Sequence, residues 1–208
     1  MLLLSGLAGC AVQPVAPPEP TLLEQVAPRS LLVVPVMNQS LDVDAPNYLL
    51  SALPVPLAEK GYYVFPVNTT RIVLEQEGYY EAEQVRQQPP EALAKLFGAD
   101  AILYVTILRW DAKYVLLSTV VTVEFDYRIV GKDGQELWKS SQRLQYQPNN
   151  NNQNAGSPLA NLIASAVTAA LTRAAPNYMP LARQANARAF LTGPNPLPDG
   201  PYRPRVKP

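Results

Sequence analysis

The chain has 208 residues and a formal net charge of zero, from 17 basic and 17 acidic side chains. This balance excludes the broad basic surface of a typical nucleic-acid-binding protein, so we expect no nucleic acid among its partners. Histidine is absent, which excludes imidazole as a catalytic base or metal ligand, and the one cysteine cannot form an internal disulfide.

The chain opens with an apolar segment that ends in Leu7-Ala8-Gly9-Cys10. Small residues before a cysteine are typical of a bacterial lipobox, in which the thiol is acylated and the cysteine becomes the mature N-terminus. We therefore expect residues 1–9 to be the remnant of a signal peptide and Cys10 to be the lipidation site. A buried structural cysteine near a frayed terminus is the alternative. No positively charged segment precedes the apolar run, which predicts either a start codon upstream of Met1 or a trimmed chain.

Lipid on Cys10 predicts an outer-membrane location, on the periplasmic face or at the cell surface. The reason is that Ala11 stands where an aspartate would favour retention in the inner membrane. Several acyl chains on one cysteine anchor a protein stably. Prolines are frequent just after the anchor, so we expect residues 10–28 to be an extended tether that begins at the lipidated cysteine.

The first predicted strand follows the tether. Residues Ser30–Val36 are apolar and rich in β-branched side chains, which indicates a buried strand with an end or a bulge at Pro35. A helix is expected over residues 46–60, although two prolines must kink or interrupt it. One side of this helix is expected to be apolar, formed by Tyr48, Leu49, Leu53 and Leu57. Residues 62–67 are the second predicted strand.

Two helical regions and a central strand come next. Residues 69–88 indicate one or two short helices broken at Gly78. Pro90–Gly98 has a proline in its first turn and a glycine at its end, which is typical of a well-delimited helix. Its apolar stripe is expected to be Leu93, Leu96 and Phe97. Ala101–Leu108 is almost continuously apolar, which indicates a strand covered on both faces.

A strand hairpin is expected after the central strand. Apolar and polar residues alternate over 121–129, as in a half-exposed strand, and Asp133-Gly134 supplies a turn. The returning strand, over about 136–146, is expected to place three residues on one face: Trp138, Leu144 and Tyr146. The resulting order, β-α-β-α-β-β-β, predicts an α/β fold. It would be a mixed sheet of about five strands with packed helices and C-terminal helices, in a single domain at 29–192.

Residues 158–174 are predicted to form an unusual helix, whose side opposite the apolar stripe is small and uncharged. Either both sides are buried within the chain, or the helix packs against another subunit. In the second case the interface candidates are Leu159, Leu162, Ile163, Ala166, Val167 and Ala170. A further helix is expected over about 179–191. The proline-rich tail, 193–208, cannot form a core and is expected to be either disordered or an extended strap laid on a partner.

Candidate chemistry is sparse. Asp42 and Asp44 follow the first strand, at the edge where open α/β sheets often bind ligands, and with Asn38 and Gln39 they could hold a hard cation. The alternative is a loop whose Asp or Asn caps the next helix. The acidic run Glu75, Glu77, Glu81 and Glu83 is predicted to be a solvated face. The tyrosines Tyr62, Tyr63, Tyr79 and Tyr80 are assigned to core packing or a protein interface.

Four longer segments carry a family resemblance: Leu57–Val67, Gly98–Ile107, Pro176–Ala187 and Gly200–Tyr202. Together they resemble an outer-membrane lipoprotein family typified by a genome-derived neisserial antigen. The resemblance implies an α/β core similar to the N-terminal domain of TolB and to the curli-secretion lipoprotein CsgG. It also implies dimerisation and neighbouring envelope lipoproteins, such as a CsgG-like protein, as partners. Of the functional residues only Cys10 transfers, as the lipidation site.

The sequence therefore predicts a lipid-anchored envelope protein that is not an enzyme, needs no cofactor and acts in interaction or assembly, in a secretion or envelope-maintenance complex. Its partners would be the membrane, through the lipid, and a second copy of the chain. The alternative is a ligand-binding or weakly catalytic periplasmic α/β domain that uses the loop at 38–45.

Overall fold

A mixed sheet lies at the centre of the computed structural model, which describes residues 19–115, 118–146 and 178–204. The strands are β1 Ser30–Val33, β2 Met37–Asn38, β3 Tyr63–Val64, β4 Ala101–Val115, β5 Ser118–Gly131 and β6 Glu136–Tyr146. The helices are α1 Leu22–Val26, α2 Ala45–Ala52, α3 Pro54–Glu59, α4 Val67–Gln76, α5 Ala82–Arg86, α6 Pro90–Phe97 and α7 Met179–Ala187. A π-helical turn, Arg188–Thr192, follows α7 directly. The predicted α/β class and mixed sheet are confirmed.

The main path of the sheet runs β3-β1-β4-β5-β6. Strand β1 pairs in parallel with both β3 and β4, while β4, β5 and β6 form an antiparallel meander. The carboxyl ends of β1 and β3 therefore lie at one edge of the sheet. The helices that follow these two strands pack on opposite faces, which opens a crevice at that edge.

The predicted strand Ser30–Val36 is divided into two. Val33 pairs with Leu103 and Met37 pairs with Thr106. The segment from Val33 to Met37 therefore advances by four residues while β4 advances by three. Pro35 lies inside this offset and has no N–H to donate, so it fits an interruption rather than a regular ladder. The predicted bulge or strand end at Pro35 is confirmed, and the residues beyond it form the sixth strand, β2.

The central strand β4 extends seven residues beyond the predicted end at Leu108. Its pairing with β5 shifts by one residue between Ile107 and Arg109, and this bulge changes which side chains face inward. Trp110 consequently turns into the core with Ile107, while Arg109 faces Glu124 on the other face. A strict alternation of apolar residues could not be followed across this bulge, which is why the predicted strand was too short.

The predicted helix over 46–60 is interrupted at Pro54, as expected, and becomes α2 and α3. Leu49, Leu53 and Leu57 are fully buried, but Tyr48 is half exposed and its ring lies parallel to that of Trp110, with centroids 6.5 Å apart. Tyr48 therefore does not share the apolar side, because it neighbours Leu49 in the helix and points elsewhere.

Glycines end the next two helices as predicted. Gly78, with φ of 89°, separates α4 from α5, and Gly98, with φ of 68°, ends α6. The stripe of α6 differs from the prediction, because Leu93 and Ala94 are buried while Leu96 is exposed. The predicted strand over 62–67 is also shorter, since only Tyr63–Val64 pair and Pro66 already precedes α4.

The hairpin between β5 and β6 turns at Asp133-Gly134, as predicted, with Gly134 at a positive φ of 84°. Trp138 and Leu144 are buried, and the partly buried Tyr146 packs against the same core. These residues lie on the face of the sheet that also carries Leu31, Val33 and Phe125, which we call the first face. The first face packs on α1, α2, α3 and α7, and the second face, carrying Leu32, Tyr104 and Val130, packs on α4, α5 and α6.

The folded region begins before Arg29, within the predicted tether. Thr21 and Glu24 form a capping box at the start of α1, and Leu23 is buried in the core of the first face. The sequence contains a signal for this helix, because a threonine followed three residues later by a glutamate is typical of a helix start.

Residues 193–204 pack on their own domain, in contrast to the predicted disordered tail or strap laid on a partner. The N–H of Gly200 donates to the Lys60 carbonyl (2.7 Å), the N–H of Tyr202 donates to the Gly61 carbonyl (3.0 Å), and Leu197 is fully buried. A Cβ on Gly61 would lie 2.2 Å from the backbone nitrogen of Arg203, so this approach requires glycine. We call residues 193–204 the strap. It lies at the amino-terminal edge of β3, opposite the crevice.

Several predictions lie outside the described residues: Cys10 with the signal peptide remnant, and the helix at 158–174 with all six interface candidates. The rest of the predicted domain organisation also remains a prediction. Within the described ranges, no helix is long and apolar enough to cross a bilayer.

Candidate functional site

A cleft of about 400 Å³ occupies the crevice at the carboxyl end of β1. Its floor includes Val33 and Val36, and its walls come from α2 and α4 and from the segment that enters α5. This is the position where the connections after β1 and β3 diverge to opposite faces of the sheet. Open α/β sheets bind ligands at such positions. We call this crevice the cleft.

The loop at 38–45 borders the cleft, and its polar groups are used to shape the loop. The Asp42 carboxylate accepts hydrogen bonds from the N–H groups of Asp44 (2.9 Å) and Ala45 (3.2 Å), so it caps the start of α2. The Asn38 side-chain oxygen accepts from the Ser40 N–H (3.0 Å) and hydroxyl (2.7 Å), and its amide donates to the Asp42 carbonyl (2.8 Å). These hydrogen bonds agree with the alternative prediction, in which an Asp or Asn of this loop caps the next helix.

Nothing in the described ranges resembles a metal site built from three or more acidic, cysteine or histidine side chains. Asp44 is exposed and makes no capping bond through its side chain, and Gln39 contributes only its backbone N–H, to the Ile107 carbonyl at 2.8 Å. Asp42 and Asp44 thus lie close together, but the Asp42 carboxylate already accepts two backbone hydrogen bonds.

The rim of the cleft exposes large apolar side chains. Val43 is 83 % exposed and Tyr80 is 71 % exposed, and both line the cleft, while the neighbouring Leu41 is fully exposed. Exposed apolar side chains next to a concave surface are typical of an interaction site. The backbone that carries Tyr80 is well held, because Gln84 Oε1 accepts from the N–H groups of Tyr80 (2.9 Å) and Glu81 (3.1 Å).

The charge at the rim is predominantly negative. Glu75, Glu81 and Glu83 line the cleft against one basic side chain, Arg71. Arg71 lies 3.8 Å from Glu75, and both side chains are largely exposed, so this ion pair is weak. Three members of the acidic run, expected to be a solvated face, therefore belong to the cleft.

One buried polar group inside the cleft wall has no hydrogen-bond partner among the residues that the structure describes. Thr70, on α4, is 2 % exposed, and its hydroxyl makes no hydrogen bond in the structure. A buried hydroxyl without a partner costs about 1–3 kcal/mol. Sequence reasoning missed Thr70, because it stands in a Thr-Thr pair of which only one member is buried; the helical spacing from Leu74 was the available signal.

The buried tyrosines have structural roles. Burial raises the pKa of Tyr127 well above its ordinary value, and its hydroxyl donates to the Asn186 side-chain oxygen at 2.7 Å. Burial also raises the pKa of Tyr62, helped by the negative charges of Asp199 and Glu24, and its hydroxyl donates to the Pro198 carbonyl at 3.0 Å. Both hydroxyls therefore hold the C-terminal segments to the domain, and neither lies in the cleft.

Comparison with known proteins gives a consistent result. The family model described as "Putative lipoprotein GNA1162-like" matches residues 20–202. The chain is 34% identical over 168 residues to "Putative lipoprotein NMB1124/NMB1162" of Neisseria meningitidis serogroup B, which covers 80% of this chain and 78% of the relative. It is similar to the crystal structure of lipoprotein GNA1162 from Neisseria meningitidis, with 37% identity and a TM-score of 0.57, over 68% of this chain and 96% of that one.

Proposed function

Since the chain belongs to the GNA1162-like family of lipoproteins, we propose that it is an interaction component of the cell envelope, attached by lipid at Cys10 and not an enzyme. It holds a segment of another envelope protein, or of a second copy of the chain, in the cleft. The place of attachment that we propose is the outer membrane, and the process is secretion or envelope maintenance.

The observation that carries this proposal is the combination of exposed apolar side chains and negative charge at the cleft. Val43 and Tyr80 present apolar area to solvent on a backbone that is already fixed. Covering a side chain of this size contributes about 1.5–3 kcal/mol. Two such contacts beside a concave apolar floor provide the kind of anchor that dominates protein interfaces.

The rim determines what kind of segment fits. With Glu75, Glu81 and Glu83 against Arg71 alone, the lining carries an excess of negative charge. A segment with an apolar side chain for the floor and a basic side chain for the rim is complementary to it, because charge complementarity steers association and rejects acidic competitors. We therefore propose a basic and apolar segment as the occupant.

Differential capture tests this function. The full-length lipidated protein is purified from membranes under mild detergent, alongside the double variant Glu81→Lys/Glu83→Lys. The control is Glu59→Lys, which makes the same kind of charge change on an exposed residue of α3, outside the cleft. We expect at least one envelope protein to be recovered with the unchanged protein and the control and to be depleted at least tenfold with the double variant. Equal recovery with all three would contradict the use of the cleft.

Thr70 favours a second function, the binding of a small polar ligand in the same cleft. Its unpartnered hydroxyl is the kind of group that a ligand would satisfy. In that case added periplasmic metabolites would raise the melting temperature of the protein, and Thr70→Val would abolish the increase. A partner segment that only covers the rim would still be captured by Thr70→Val, so the two functions give different results.

A further inference from the structure

The second face of the sheet carries two arginine side chains around one buried tyrosine. The Cζ atom of Arg86, the last residue of α5, lies 5.5 Å from the centre of the Tyr104 ring, and that of Arg128 lies 5.4 Å from the same ring. Tyr104 and Arg128 are direct partners in the pairing of β4 with β5. From this arrangement we infer that Arg86 and Arg128 form a binding site for a phosphate group.

The guanidinium group of Arg86 is held in place before any ligand arrives. An Nη atom of Arg86 donates to the hydroxyl of Thr106 (3.0 Å) and to the Val105 carbonyl (3.4 Å), which ties the end of α5 to β4. Both groups also contact Tyr104, which is 3 % exposed and therefore fixed. A guanidinium has five N–H donors, so Arg86 keeps Nε and its second Nη for a ligand.

Neither arginine forms an ion pair with a described carboxylate. Among the residues that the structure describes, no carboxylate lies within 4.0 Å of either guanidinium. Glu83, on α5, lines the cleft, and its negative charge offsets part of the effect that Arg128 has on Arg86. Asp126, two residues before Arg128 on β5, accepts a hydrogen bond of 2.6 Å from Ser141. The two arginines repel each other, since their Cζ atoms are at most about 11 Å apart.

A third basic residue lies beside the two arginines, but an acidic neighbour compensates its charge. Lys139 pairs directly with Arg128 in the register of β5 and β6, and it forms an ion pair with Glu136. Burial, together with the positive charge of Arg128, lowers the pKa of Arg86, which is the direction expected of a partly buried cation beside a like charge. An anion that contacts both arginines would relieve this repulsion.

A phosphate group suits the charge and the donors of this site. Two guanidinium groups carry two positive charges and several N–H donors, which match the charge and the oxygens of a phosphate dianion. A single carboxylate would compensate only half of this charge. The phosphate could belong to a soluble compound or to a lipid headgroup, and both sources offer the same oxygens to the same donors.

The experiment uses the full chain with Cys10→Ser, so that no lipid interferes, and inorganic phosphate and pyrophosphate as probes at physiological ionic strength. Binding is followed by calorimetry and by the NMR signals of the arginine Nε–H groups. Arg128→Gln removes one of the two guanidinium groups, at an exposed position. The control is Arg183→Gln, which removes the same charge from an exposed position on α7. Circular dichroism establishes that each variant is folded.

We expect both probes to shift the Nε–H signals of Arg86 and Arg128, and we expect Arg128→Gln to weaken binding at least tenfold while Arg183→Gln leaves it unchanged. Sedimentation with phosphatidylglycerol vesicles then distinguishes the sources. Vesicle binding that Arg128→Gln abolishes assigns the site to lipid headgroups, and binding of the free probes alone assigns it to soluble phosphates. Absence of binding to both probes and vesicles, or equal weakening by the two variants, would overturn the proposal.

Discussion

The strap provides the sharpest prediction about stability, because its attachment depends on one fully buried side chain. Leu197 is 0 % exposed and belongs to the core of the first face, although it stands in a segment rich in proline. Leu197→Ala removes this side chain and leaves a cavity, and such changes cost about 2–5 kcal/mol. In a chain of this size, each kcal/mol lowers the melting temperature by about 2–4 °C. We therefore expect a decrease of about 5–15 °C.

The measurement is thermal unfolding of the Cys10→Ser chain, followed by circular dichroism. Val55→Ala is the matched control, because Val55 is a 63 % exposed apolar residue on α3, and its truncation should change the free energy of unfolding by less than about 0.5 kcal/mol. Gly200→Ala is an independent variant, since the added Cβ would lie 2.5 Å from the Gly61 carbonyl oxygen and would force the strap away. A decrease of less than 2 °C in Leu197→Ala would correspond to a loss of about 1 kcal/mol or less in the free energy of unfolding. The strap would then not contribute to the core as described.

Three further predictions concern single polar groups. Thr70→Val removes a buried hydroxyl without a partner and should raise the free energy of unfolding in urea by about 1 kcal/mol; destabilisation would show that the hydroxyl is hydrogen-bonded. Asp42→Ala should lower the melting temperature through the loss of about 1 kcal/mol of capping, whereas Asp44→Ala should have almost no effect; equal effects, or stabilisation by added magnesium or calcium, would contradict the capping role. Burial raises the pKa of Tyr127 above its unfolded value of 10.0, so its neutral form stabilises the fold at neutral pH and this contribution is lost as the pH rises above that value. Alkaline titration should therefore lower the stability of Tyr127→Phe less steeply than that of the unchanged protein, and parallel curves would refute this.

Local signals in the sequence predicted the element order well. Pro54 interrupts the first long helix, Gly78 and Gly98 end helices at positive φ, and Gly134 makes the hairpin turn. Each of these residues acts on its own backbone, through a missing N–H or a conformation that other residues avoid. Such effects can be recognised without knowing what the segment packs against.

Features that depend on distant neighbours could not be predicted. The bulge after Ile107 is defined only by the pairing with β5, and it determines that Trp110 rather than Arg109 faces the core. The strap is ordered because Gly200 meets Lys60 and Gly61, which are far away in the chain. A proline-rich composition alone indicated disorder or a partner, and it contained no information about this contact.

The place of the loop at 38–45 in the fold could be predicted, but the composition of the cleft could not. The topology placed this loop at the carboxyl end of the first strand, because strand order alone determines that edge. The use of Asp42 as a cap, and the gathering of Glu81 and Tyr80 at the same cleft, depend on how α4 and α5 pack. Arg86 on α5 and Arg128 on β5 converge on Tyr104 of β4, so no local pattern could reveal them.

The central claim, that the cleft holds a partner, is tested most directly by photocrosslinking in living cells. A photoreactive amino acid replaces Val43 or Tyr80 in the full-length lipoprotein, and Val55, equally apolar and exposed but outside the cleft, serves as the control position. The account predicts a discrete crosslinked product from positions 43 and 80 that is lost on Glu81→Lys/Glu83→Lys, and none of that size from position 55. A product that forms equally from all three positions, or from none, would contradict it.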